Sequence, residues 1–316
     1  MRKILLSILI LTQGTIYFAK ENYGYINKSK NQLFIVYKNK PYIISKLDES
    51  TSYSIVDVAC FKKRVYVMLD EQRKVQPRRV LYEYDMISNE KLSTLSAASG
   101  HNLFSINRNK MIVMLSKPDS INVVYEKQNN SYKYLTKAVD FPGNLSLSPN
   151  GQRFLYGNVN GILLYDFKKD SCNYVSKGIL GPIAPKWLDN NNFIYYDVNK
   201  QMICKMNLCT KEDKVLIDKP YDVVTMVYTN GHLVFVIQID EKISKLYDYD
   251  MSKSETKLLI DDGGFILDLV LLSKNMILYS SNIDNKWDIY ELDLRNKNTR
   301  KITEGKDDHL MPFNVQ

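Results

Sequence analysis

The chain has 316 residues, of which 45% are hydrophobic and 25% charged, a soluble globular balance that excludes general disorder. Its net charge of +8 comes from 43 Lys and Arg against 35 Asp and Glu. The lysines are scattered through strands and turns and form no basic stripe interleaved with aromatics, so nucleic acid is not an expected partner.

Met1-Arg2-Lys3 followed by the apolar run Ile4 to Leu11 has the form of a secretory signal peptide and is too short to span a bilayer. A signal peptide is therefore expected over 1–19, with cleavage near Ala19, leaving one domain over 20–316 that is periplasmic or secreted. No later segment is long and apolar enough to form a transmembrane helix. Leu33 to Tyr37 and Tyr42 to Leu47 read as a strand pair, with Tyr23 to Ile26 as a further short strand before them.

From there a phrase recurs, apolar-Tyr-acid, seen at Tyr82, Tyr125, Tyr165, Cys204, Tyr247 and Tyr290, with spacings of 43, 40, 39, 43 and 43. An apolar-polar pair trails it at Leu95, Leu135, Val175, Ile217, Ile260 and Ile302, with spacings of 40, 40, 42, 43 and 42. Two landmarks in step give a repeat of about 42 residues, the length of one four-stranded propeller blade. Six complete repeats cover roughly 54–97, 101–138, 143–178, 182–219, 221–262 and 264–304 by this spacing. His309 to Val315 is left as a lone strand. Pairing it with the strands at the front removes an open sheet edge. The expected fold is thus an all-β propeller of seven blades, the last built from both termini, with six blades as the alternative.

Turn chemistry agrees with this division. Ser148-Pro149-Asn150-Gly151 and Asn230-Gly231 punctuate alternating runs, and Asp189-Asn190-Asn191-Asn192 holds the equivalent place between them. Trp187, Trp287 and Tyr290 supply the large side chains expected to fill the gaps between blades. Asp at the end of a third strand is expected to accept backbone N–H bonds in the next turn.

These phrases resemble the TolB-type propeller family. Ser148-Pro149-Asn150-Gly151-Gln152-Arg153 matches its Ser-Pro-Asp-Gly-Lys turn, and Pro185-Lys186-Trp187 its Pro-x-Trp. Tyr279 to Asn282, Trp287 to Tyr290 and Ile302-Thr303 match the stretch from second to fourth strand. The resemblance implies a bacterial cell-envelope propeller working through contacts with protein partners. One copy keeps Ser-Pro-x-Gly, and the residues ahead of the first repeat are too few for the α/β domain that precedes the TolB propeller. Related propellers also precede the hydrolase domain of prolyl oligopeptidases, and no such domain is expected within these 316 residues.

Catalytic signatures are sparse. His101, His232 and His309 form no zinc motif, and there is no Gly-x-Ser-x-Gly elbow or glycine-rich phosphate loop. Asp261-Asp262-Gly263-Gly264 and Asp307-Asp308 lie beside turns and lack the spacing of a calcium loop. Four cysteines are too few for a disulfide framework, and Cys204 and Cys209 either bridge across a hairpin or pack as small hydrophobes. The expected function is a non-enzymatic protein-interaction module, monomeric and without a cofactor. The alternative is a lactonase- or lyase-like enzyme with a divalent cation in the central channel. Its ligands would come from Asp57, His101, Asn144, Asp222 and Asp268, all near first strands.

Overall fold

The structure is a computed structural model that describes residues 22–28, 30, 32–38, 40–45, 53–71, 78–96, 104–107, 110–116, 122–129, 131–137, 143–158, 160–178, 183–218 and 222–314. The proposed signal peptide lies outside these residues. Among them there is no α-helix, only a 3-10 turn at Ile283–Asn285, and seven four-stranded antiparallel sheets. Seven blades, not six, complete the ring.

Blade 1 is composite. Its innermost strand is His309–Asn314, followed outwards by Tyr23–Asn27, Gln32–Tyr37 and Lys40–Ser45. Blade 2 spans residues 53–96, blade 3 residues 104–137, blade 4 residues 143–177, blade 5 residues 183–218, blade 6 residues 222–260 and blade 7 residues 266–301. Each of these six runs outwards in chain order, except that the connectivity of blade 1 borrows its inner strand from the far end of the chain. The inner strands of neighbouring blades touch all the way round, so the ring is closed.

Side-chain alternation divides each blade between two interfaces. In blade 2, Tyr66, Met68 and Leu81 pack with blade 3, whereas Val65, Val67, Leu69, Val80, Tyr82 and Tyr84 pack with blade 1. In blades 4, 6 and 7 the repeated Tyr has a structural cause. In register across the second and third strands, Phe235 faces Tyr247 and Tyr279 faces Tyr290, their rings stacked at 5.8 and 5.3 Å. Phe154 faces Tyr165 at 4.9 Å, and Tyr25 faces Phe34 at 5.1 Å in the composite blade. Such pairs add about 0.5–1.5 kcal/mol beyond their burial. Tyr165 is displaced: it stands one residue before its turn aspartate, where Tyr247 and Tyr290 stand three before theirs. A shift of two residues keeps the same face, so the packing survives it.

The third-to-fourth turns follow one rule in five blades. Asp85, Asp166, Asn207, Asp250 and Asp293 each accept backbone N–H bonds from the turn. Four residues later the chain enters positive φ at Asn89, Asp170, Lys211, Ser254 and Lys297. In the first-to-second turns, both residues have positive φ at Lys62 and Lys63 and at Asn230 and Gly231, which close two-residue hairpins between Phe61 and Arg64 and between Thr229 and His232. At Ser148 to Gly151 only Gly151 does so. That longer turn is held by the Ser148 hydroxyl, which donates to Asn150 Oδ1 at 2.8 Å and accepts from the Arg153 N–H at 3.0 Å.

The Asp307-Asp308 pair clasps the closure. Asp307 accepts from Asn27 Nδ2 at 3.0 Å and pairs with Lys30 at 2.7 Å, while Asp308 accepts the Trp287 N–H at 3.1 Å and, through its carbonyl, the Lys28 N–H at 2.8 Å. Inside the clasp Asp288 is buried against Lys286, Lys301, Thr303 and His309. All four cysteines are free, Cys204 buried and Cys209 exposed.

Gly24 faces Phe313 across the closure, and a Cβ at Gly24 would stand within 2.2–2.8 Å of that buried ring. Gly24→Ala is expected to cost about 1–3 kcal/mol, read from the urea midpoint at unchanged slope, with Phe313→Leu restoring most of it. A loss under about 0.5 kcal/mol, within the ordinary range of surface changes, would mean that this contact does not hold the ring shut. The turn acids also set an acid limit. The Ser252 hydroxyl and the Ser252 and Lys253 N–H groups, against slight desolvation, hold Asp250 down to about 2. Asp85, Asp166 and Asp293 are also lowered. A depressed folded pKa gives stability that is complete above the unfolded value and lost as pH falls through the folded one. Tm should therefore hold above about pH 5 and fall between about pH 4 and 2, with a shallower fall in Asp250→Asn.

Candidate functional site: the central channel

Among the described residues, the inner strands of blades 1, 2, 3, 5, 6 and 7 line a channel of about 350 Å³. A β-bulge interrupts the pairing of the inner strand in blades 1, 2, 4, 5, 6 and 7. Bulges re-aim side chains. In blades 2, 5 and 6 pairing resumes at Asp57, Lys186 and Thr225, and all three line the channel. The blade 7 bulge contains Asp268, which lines it too.

Two acids and one base thus share this space. Asp57 Oδ1 accepts the Val58 N–H at 2.9 Å. Burial raises the Asp268 pKa, opposed by the Ser280 hydroxyl, which donates to Asp268 Oδ2 at 3.0 Å, and by the Met311 N–H. Lys186 differs. It is enclosed by the inner strands and reaches solvent only partly; burial lowers its pKa, and no carboxylate pairs with it among the described residues. Its neighbour Trp187 is buried and donates from Nε1 to the Ser146 carbonyl of blade 4 at 2.9 Å, which fixes the strand that carries the lysine.

The other sequence candidates are dispersed. Asp222 is exposed at the start of the blade 6 inner strand, and Asn144 lies within that of blade 4. His101 lies outside the described residues. Among the described residues no three His, Cys, Asp or Glu side chains come together as a metal would need. His232 pairs with Asp248 at 2.9 Å on the hairpin face, and His309 belongs to the closure. Trp287 serves the closure through its backbone, and Tyr290 serves blade 7 through its stacked ring. Of the repeat residues, Ser148, Pro149, Asn150, Gly151, Asn230 and Gly231 occupy first-to-second turns. The Ser148 and Pro149 carbonyls accept from Asn107 Nδ2 of blade 3, and the Asn150 N–H donates to Asn190 of blade 5. Sequence reasoning missed Lys186 as a site residue, although it stands inside the quoted Pro-x-Trp phrase.

No family model matches the chain, and no curated protein matches it in sequence. Among solved structures it is similar to a prolyl endopeptidase, with a TM-score of 0.68 and 11% identity over 90% of this chain and 48% of that one. TolB from Acinetobacter baumannii gives 0.53 and 12% over 98% of this chain and 70% of that one. A Mycobacterium tuberculosis puromycin-hydrolyzing peptidase gives 0.63 and 10% over 90% and 52%. These likenesses show the propeller fold. The chain spans about half the length of the two peptidases.

A buried ammonium without an acid partner destabilises the fold. Lys186→Met should raise Tm by a few degrees at pH 7, about 2 °C per kcal/mol recovered in a chain of this size. Because the folded pKa is lowered, the penalty is complete below it and disappears above the unfolded value, so the gain should vanish towards pH 10.5. A lower Tm in Lys186→Met at pH 7 would mean that the channel satisfies the amine.

Proposed function

We propose that the chain is a non-enzymatic interaction module of the TolB type, exported to the bacterial cell envelope or beyond, that binds a protein partner. The observation that carries this reading is Lys186: a cation kept unpaired in the channel of a braced ring is fitted to meet an acidic group supplied from outside. Rigidity supports it, because inner strands and first turns are tied blade to blade, as at Trp187–Ser146, Thr229–Lys274 and Asn314–Leu271. A rigid scaffold presents its loops and channel mouth without an ordering cost at binding.

A second reading, a propeller enzyme with a divalent cation in the channel, is favoured by Asp57 and Asp268 lining the same space. The fit is incomplete. Two carboxylates fall short of a full donor set, and the Lys186 ammonium would oppose a metal ion. Elemental analysis of the purified protein separates the readings, since a stoichiometric divalent ion would favour the enzyme.

Crosslinking from the native envelope should capture a specific protein with the wild-type chain and several-fold less with Lys186→Glu, which reverses the charge. Equal capture by both would remove the channel from the interaction. No specific capture by either would leave only the fold.

A further inference from the structure

Between blades 2 and 3 lies a second cavity of about 270 Å³, apart from the channel. Lys62, Arg64 and Lys127 line it, with Gln128 and the rings of Phe61 and Tyr66. Every ionised group in that lining is a cation.

Beneath it lies Glu83, 2% exposed. Glu83 accepts from Arg64 at 2.5 Å, Lys127 at 3.0 Å and Ser93 at 3.1 Å, with the Tyr66 and Tyr132 hydroxyls at 3.5 and 3.4 Å. Burial pushes the Glu83 pKa up, but these donors hold it below the usual range, so the carboxylate stays charged. One acid positions two cations, as a supporting shell fixes the groups of a binding site. Asp85, the other acid near Arg64, has Oδ1 engaged by the Ile87 and Ser88 N–H groups, both at 2.9 Å. Three cations therefore stand against two acids, and neither acid lines the cavity.

Blade 3 is also one of the two blades outside the turn rule. Lys127 pairs with Met111, which puts Gln128 where five other blades place Asp or Asn. A neutral amide replaces a carboxylate at the cavity wall. A purely structural ion pair needs one cation, and a second cation beside the same buried acid leaves positive charge to be answered.

We propose that this cavity binds the phosphate group of a small phosphorylated molecule. Arg64 and the two lysines meet the phosphate oxygens through charge-assisted hydrogen bonds, and Gln128 donates from its amide. Phe61 and Tyr66, 3% and 1% exposed, form the floor beneath the cations, and the organic part lies towards the cavity mouth. The cavity's volume suits a small molecule.

Calorimetric titration of the full chain at fixed ionic strength, with inorganic phosphate and with glycerol 3-phosphate, tests this. Saturable one-to-one binding is expected for both, tighter for the ester. Lys62 is exposed, so Lys62→Ala should keep the wild-type Tm while weakening binding about tenfold. Arg64→Lys, which retains a cation beside Glu83, should weaken it by a similar factor through loss of the fork. Absence of saturable binding, or unchanged affinity in both variants, would overturn the proposal. Equal affinity for the two ligands would overturn the organic half of it.

Discussion

A ring of sheets leaves no blade face uncovered only if its last blade is completed, and that requirement organises the rest of this structure. Each inner strand touches the next around the circle, and the strand that closes it, His309–Asn314, comes from the opposite end of the chain to its three partners. Antiparallel pairing alone would leave a two-strand seam between distant segments, whose joining costs loop-closure entropy. The seam is reinforced by the Asp307 and Asp308 bonds to both sides and by the Phe313 ring seated on Gly24. Paired acids that read in sequence as a turn are thus occupied in holding the two ends of the ring together.

The blade boundaries were legible because the repeated phrase has a physical content, clearest in blades 6 and 7: an aromatic pair in register across the second and third strands, then an acid that caps the following turn. Both parts are local in sequence, so spacing alone reveals them. What remained hidden depends on neighbours far along the chain. Pro185-Lys186-Trp187 reads as a family turn of phrase, yet only the bulge shared by successive inner strands turns Lys186 into the channel. Glu83 reads as one more alternating acid, and its burial against Lys127 requires blades 2 and 3 to be stacked. The two-residue slip at Tyr165 was invisible for a different reason, since a period-two pattern looks the same after a shift of two.

Three charged groups enclosed by the fold differ in how their burial is met. Asp288 and Glu83 are each surrounded by donors, and burial is outweighed by those bonds in both. Lys186 has burial alone acting on it. A satisfied buried charge is compatible with a purely structural role, whereas an unsatisfied one costs stability, which is why the proposed function starts from Lys186.

The excess of lysine also has a place once the sheets are laid out. Each blade ends in an outer strand, and every one carries an exposed lysine: Lys40, Lys91, Lys133, Lys177, Lys214, Lys257 and Lys301. Exposed apolar side chains share several of these strands, among them Ile43, Leu92, Tyr134, Val215 and Leu258. Such an edge is a template for pairing with another chain, and a lysine on it opposes that pairing by carrying charge into any new sheet. The same side chains that make the protein basic therefore guard seven open edges. Basic charge distributed around a circumference makes no concentrated patch. Charge is enclosed rather than spread at the channel and between blades 2 and 3, the two places where binding is proposed.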